Sequence, residues 1–233
     1  MNLYPIKLIP FVSETIWGGK KLIEEYGVKT EKKNAAEGWM LSCHEAGAST
    51  VENGEFAGIS LADVVKSNPA LCGENAKEFT DFPILIKFID ACDKLSVQVH
   101  PDDDVTDENG TPLGKTEMWY IIDAQPDAYI YAGFKEELSK EEYTRRVKDG
   151  TIIDSLAKHS VHTGDVFYIP ARRVHAIGKG VLLAEVQQSS DITYRIYDYN
   201  RMGLDGKPRE LHTELAAQAI DFKVYPEYRS NYK

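Results

Sequence analysis

Between residues 83 and 197 the chain is a succession of short segments rich in β-branched and aromatic residues, most of them separated by turn residues. Pro83–Ile89, Leu95–His100, Glu117–Ala124, Ala128–Ala132, Asp165–Ile169, Gly180–Val186 and Thr193–Tyr197 all read as strands. The alternation is cleanest in Leu95-Ser-Val-Gln-Val-His100. Leu95, Val97 and Val99 share one face there, and Ser96, Gln98 and His100 share the other. Helical signals sit around this block. Lys20–Tyr26 stops at Gly27, Ser60-Leu-Ala-Asp63 opens a run that halts before Pro69, and Ser139-Lys-Glu-Glu142 has capping-box spacing and leads to Gly150. A fourth segment, Thr213–Phe222, is rich in good helix formers. The pattern predicts a mainly β sandwich or barrel with a few peripheral helices. A doubly wound parallel sheet would need regular strand–helix alternation, which is missing.

Composition changes this picture little. With 233 residues, 42% hydrophobic and 27% charged, the chain can bury one substantial core, and no part is repetitive or of low complexity. A formal charge of −10 argues against nucleic acid and anionic membranes as partners, since both select a basic face. The first residues are mixed and Pro-containing, without a secretion signal or a run of membrane-spanning length. Cys43, Cys72 and Cys92 form no Cys-x-x-Cys pair and read as reduced thiols of a cytoplasmic protein. There is no glycine-rich dinucleotide fingerprint and no phosphate-cradling loop.

Three places carry candidate chemistry. The polar face of Leu95–His100 would meet water in an open sandwich, but in a small barrel it faces inward. Gln98 and His100 then have Cβ atoms roughly 6.5–7 Å apart, a reasonable bite for an ion. Glu117 is the first acid of a strongly apolar strand and shares a face with Trp119 and Ile121. Buried there it needs a partner, either a metal or a structural cation such as Lys115 or Arg195. In Gly164-Asp-Val-Phe-Tyr-Ile-Pro170-Ala-Arg-Arg-Val-His175, a turn, a strand and a proline-led turn bring a second imidazole back toward the barrel.

These segments resemble the two motifs of the cupin superfamily. Gln98-Val-His100 with Glu117 is similar to the first, with glutamine in place of the usual first histidine. Gly164…Pro170…His175 is similar to the second, with Arg172 where glycine is common. The glutamine narrows the resemblance to type I phosphomannose isomerases. Glu14-Thr-Ile-Trp-Gly-Gly19, Leu95-Ser-Val-Gln-Val-His-Pro-Asp-Asp103, Gly114-Lys-Thr-Glu117, Gln187-Gln-Ser-Ser-Asp191 and Thr193-Tyr-Arg-Ile-Tyr-Asp198 resemble the short bacterial form from about Met1 to Phe222.

The resemblance implies a cupin (jelly-roll) barrel and interconversion of mannose 6-phosphate and fructose 6-phosphate. It also implies one divalent ion per chain, zinc, held by Gln98, His100, Glu117 and His175, with Lys115 and Arg195 as catalytic residues. Lys115, two positions before Glu117, is expected to share its face and to have a lowered pKa beside a bound cation. Arg195 is suited to stabilising an enediolate or binding phosphate. Arg172, Arg173, Lys179 and Arg201 are further phosphate candidates, and Trp17 and Trp39 are candidate pocket walls.

The expected organisation is one domain over residues 1–233, with a helical insertion near 135–150 and a terminal helix near 213–222. The family's usual second C-terminal β domain is not apparent. An apolar face left open in this way would be covered in a homodimer. Two other classes stay open at this point. One is a metal-containing cupin that binds a sugar phosphate as a sensor, and the other is a cupin dioxygenase.

Overall fold

The computed structural model describes residues 4–79 and 82–230, so both ends of the expected 1–233 domain lie outside the described residues. The strands in chain order are β1 Leu8–Ile9, β2 Phe11–Ser13, β3 Glu37–Leu41, β4 Thr50–Val51, β5 Ile84–Ala91, β6 Val97–Val99 and β7 Glu117–Ala124. They continue with β8 Tyr129–Phe134, β9 Leu156–Ser160, β10 Val166–Ile169, β11 His175–Ile177, β12 Val181–Gln188, β13 Tyr194–Tyr197 and β14 Arg229–Ser230. The α-helices are α1 Lys21–Glu24, α2 Leu61–Ser67, α3 Lys140–Lys148 and α4 Thr213–Ala219.

Two antiparallel sheets carry the fold. One has seven strands in the order β14-β10-β7-β12-β5-β3-β2, and the other has five in the order β13-β6-β11-β8-β9. From β5 to β13 the chain passes back and forth between them, which gives the two-sheet jelly roll expected from the sequence. Trp119, Ile121, Phe167, Ile169 and Leu183 of the larger sheet pack with Ile130, Ala132 and Ile177 of the smaller one in one core. Val97, Val99, Ala176 and Ile196 point the other way and join a second core with α3 and α4 residues such as Tyr143 and Ala216. Each strand of the smaller sheet is thus apolar on the helix side, leaving its barrel side free to carry Gln98 and His175.

All seven expected strands and all four helices are present, most of them with shifted ends. The last helix stops at Ala219 rather than Phe222, where Ile220 turns to extended backbone. Strands β1, β2, β3, β4, β9, β11 and β14 were not expected. The Gly133 backbone lies in the left-handed region at φ +74°, and a Cβ there would meet the Tyr228 ring at 2.4 Å. Tyr228 donates to the Phe134 carbonyl at 3.2 Å, and β14 follows it onto the edge of β10. Arg172 also has a left-handed backbone, φ +73°. This explains the preference for glycine at that point of the motif, since only glycine adopts it without steric cost.

The outer face of the larger sheet is largely apolar. Cross-strand pairing aligns Tyr168, Met118, Val186 and Ile86 in one row and Val166, Tyr120, Ala184 and Phe88 in the next. Leu22 of α1, with Val12, Val28 and Ala35, covers the end of this face around Leu182, Phe88 and Ile122. Tyr120, Tyr168 and Ile84 remain exposed.

Candidate active site

Strand pairing brings the sequence candidates together. His175 at the start of β11 pairs with Gln98 on β6 and with Ala132 on β8. Arg195 on β13 pairs with Gln98 from the other side. Glu117 opens β7 in the facing sheet and points inward from it. His100 Nε2 lies 3.1 Å from Glu117 Oε1, and His175 Nε2 lies 4.0 Å from Glu117 Oε2. The two imidazoles and the carboxylate are all buried, and one ligand atom from each lies within 4.8 Å of the others.

The protonation pattern follows from the neighbours. His100 Nδ1 is 2.8 Å from the Ile192 carbonyl, and His175 Nδ1 is 2.8 Å from the Arg173 carbonyl. A carbonyl only accepts, so both Nδ1 atoms carry the proton and both Nε2 atoms present lone pairs. Burial, reinforced by Lys115, holds the His100 pKa down to about 3. Burial also lowers that of His175. Burial alone would raise the Glu117 carboxyl, but Lys115 and His100 hold it well below the usual carboxylate range.

Two neutral imidazoles and a carboxylate therefore converge with lone pairs only. His100 Nε2 is buried without a hydrogen-bond partner. Such a set fits a divalent cation of the zinc type. Gln98 Nε2 is 3.3 Å from His175 Nε2 and donates to it in this orientation. A half-turn of the amide exchanges its two nearly indistinguishable ends and offers Oε1 to an ion instead.

Beside this centre is a cavity of about 190 Å³ lined by Gln98, Lys115 and Arg195 and walled by Trp17 and Trp39, as expected. Lys115 Nζ is 3.1 Å from Glu117 Oε1. Without an ion its pKa is raised, whereas the lowering expected from the sequence is that beside a bound cation. Burial does depress it, but the carboxylates of Glu117, Glu185 and Glu37 outweigh that effect.

The sequence family's profile described as "Phosphomannose isomerase type I, catalytic domain" matches residues 6–143. A "Probable mannose-6-phosphate isomerase GmuF" of Bacillus subtilis is 43% identical over 222 residues, 93% of this chain and 68% of that protein. The "Mannose-6-phosphate isomerase ManA" of the same organism is 42% identical over 229 residues, 97% of this chain and 71% of that one. The chain belongs to the type I phosphomannose isomerases. A crystal structure of the mannose 6-phosphate isomerase from Bacillus subtilis superposes with a TM-score of 0.90 at 37% identity, covering 97% of this chain and 71% of that one.

Within this phosphomannose isomerase framework, the cavity also holds groups that sequence reasoning passed over. Lys87 on β5 is buried, 4.7 Å above the Trp39 ring, with Glu37 and Glu185 each 3.7 Å from its ammonium. Glu185 on β12 shares the Trp119 indole N–H with Glu117, at 2.9 and 3.0 Å. Burial and the Glu117 charge push the Glu185 pKa up to about 7. The available signal was a lone charge inside an apolar strand, the same signal that singled out Glu117.

The phosphate candidates fall elsewhere. Arg172 bonds the Ala219 carbonyl, and Arg173 lies 5.0 Å from the Tyr225 and Tyr228 rings. Arg201 is engaged by Asp198, Asp93 and the Lys94 carbonyl. Neither these three nor Lys179 lines the cavity; Arg209 does.

Proposed function

We propose that this chain interconverts mannose 6-phosphate and fructose 6-phosphate, using a divalent ion, zinc, bound by Gln98, His100, Glu117 and His175. The observation that carries this reading is the buried convergence of unprotonated Nε2 and carboxylate atoms at one end of a polar cavity. The exchange moves a proton between C2 and C1 and develops negative charge on enediol oxygens. An ion held by these ligands supplies Lewis-acid stabilisation to the sugar oxygens.

Lys115 holds and passes the proton. Its Nζ lies in the cavity wall beside Glu117, and its two-residue offset from Glu117 keeps both side chains on the same side of the sheet. Arg195, directly across from Gln98, keeps its charge throughout and stabilises the enediolate. Trp17 and Trp39 narrow the cavity and limit water around the reacting carbons.

A coupled assay for fructose 6-phosphate formation tests the reading. Turnover is expected to vanish on chelation and to return with zinc. A zinc-loaded protein without turnover would sink it. Elemental analysis should find about one zinc per chain, as one ligand set implies.

The 233 residues act as a single domain, so unfolding should follow one cooperative transition. The uncharged rows on the outer face of the larger sheet complement a second copy of themselves, which supports a homodimer. Sedimentation as a monomer across the micromolar range would dismiss it. Among the described residues no helix is long and apolar enough to cross a membrane. Three cysteines in the thiol form support a cytoplasmic location, which a fluorescent fusion would check.

A further inference from the structure

Arg195 lies on the outermost strand of the smaller sheet, since β13 ends the order β13-β6-β11-β8-β9. It pairs with Gln98, and the register slips just after it, between Arg195 and Tyr197. The ladder alone therefore restrains it little. Its backbone groups show where the rest of the restraint comes from. The Arg195 N–H donates to His212 Nδ1 at 3.2 Å, and the Arg195 carbonyl accepts from the His212 N–H at 2.7 Å. Both groups of a residue in an antiparallel ladder point to one side, so here both face away from β6. His212 closes the open sheet edge like a strand one residue long, with its own ring supplying the acceptor.

The side chain is held from the same segment. Arg195 Nη1 donates to the Glu210 carbonyl at 2.9 Å. Three atoms of Arg195 are thus gripped by residues 210–212, while its Nε is buried without a partner among the described residues. A backbone N–H only donates, so His212 Nδ1 carries the lone pair and the ring proton sits on Nε2. Nε2 lies 3.9 Å from the Glu210 carboxylate, an attraction that favours this tautomer.

Helix capping does not account for a histidine at this place. His212 stands at the N-cap of α4, where Ser, Thr, Asp and Asn are favoured, yet its side chain makes no capping bond. Its acceptor goes to Arg195 instead. The helix behind it is well anchored: Tyr143 donates to the Thr213 carbonyl at 3.2 Å, and Ala216 is buried. Past its far end, the Asp221 N–H donates to the Arg172 carbonyl at 2.9 Å. The Arg172 N–H in turn donates to the His100 carbonyl at 2.8 Å. Helix α4 is therefore a strut from Arg195 at one end to the backbone of His100 at the other.

We infer that His212 is a positioning residue for Arg195, its ring acceptor and the 210–212 backbone together fixing where the guanidinium stands in the cavity. His212 does not line that cavity and acts through Arg195, which does. This assignment deepens the isomerase reading and rests on Arg195 as the group that stabilises the enediolate.

His212→Phe keeps a ring and the backbone N–H and removes the acceptor. In the zinc-loaded protein it is expected to lower kcat about tenfold or more, the scale of a displaced catalytic group, with a smaller change in KM. His212→Asn returns an acceptor to the Nδ1 position and should recover most of that loss. In an Arg195→Lys background, His212→Phe should cost less than about twofold further, because the group it positions is already gone. A nuclear magnetic resonance reading needs no turnover. The Arg195 Nε–H signal, identified by its loss in Arg195→Lys, should exchange with water at least about tenfold faster in His212→Phe.

Wild-type exchange at Arg195 in His212→Phe would overturn the assignment whatever the turnover. So would a wild-type kcat in that variant, or a fully additive loss in the Arg195→Lys background. Faster exchange at Arg195 in a chain without any isomerase turnover would keep His212 as its positioning residue and discard the isomerase reading. If His212→Phe fails to fold, His212→Ser, a favoured cap with no acceptor in reach of Arg195, takes its place under the same readings.

Discussion

Glu117 connects most of the chemistry in this molecule. Its carboxylate faces two imidazole lone pairs, pairs with Lys115 and accepts the Trp119 indole N–H. Glu117→Gln keeps the shape and removes the charge that the ion and Lys115 both use. It should abolish stoichiometric zinc and lower turnover by at least ~100-fold, on the scale of losing a preorganised electrostatic group. Zinc analysis and the coupled assay read the two effects separately.

Lys115→Met should retain zinc yet lose ~10²–10⁴ in kcat, the usual worth of a positioned proton carrier. Near-normal turnover would remove Lys115 from the mechanism. Trp119→Phe removes the one donor shared by Glu117 and Glu185 and leaves two buried carboxylates facing each other. A stability loss of about 1–3 kcal/mol, read by denaturant titration, is expected for the unsatisfied pair. Gln98, His100, Glu117 and Lys115 were legible because each breaks the polarity of its strand or shares its alternation. Lys87 and Glu185 break polarity in the same way. Their meaning depends on Trp39 and Trp119, which adjoin them only after strands distant in sequence have paired.

At the scale of elements, alternation and turn residues located the long strands well; β7 has the same limits in the structure as in the sequence reading. Of the missed strands, β1, β2, β4 and β14 run for only two or three residues, and the other three have further physical reasons. Strand β3 contains a glycine and begins with a charge, β9 mixes lysine and histidine, and β11 has only three residues. They are strands because neighbours supply hydrogen bonds, not because of local propensity. Helices were legible where caps are explicit. Ser139 accepts from the Glu142 N–H at 3.1 Å, as its capping spacing predicted. Ser139→Ala should cost about 1 kcal/mol in a denaturant melt while leaving turnover intact. Helix α3 packs Tyr143 into the core on the far side of the smaller sheet, away from the cavity.

On the scale of the whole molecule, the ligands are divided between the two sheets. Gln98, His100 and His175 belong to strands β6 and β11 or their ends, and Glu117 comes from β7 opposite them. A bound ion is therefore a cross-link from one sheet to the other, fastened at positions far apart in the sequence. Such a clasp closes only after the sheets have docked, so it belongs to the last stage of folding. Loading with zinc should slow unfolding by at least about tenfold while leaving the refolding rate nearly unchanged, the behaviour of a contact absent from the transition state. Stopped-flow chevrons with and without chelator would show it in one limb only. The ion would then set how long the folded molecule persists in dilute solution, a durability distinct from the reaction it serves.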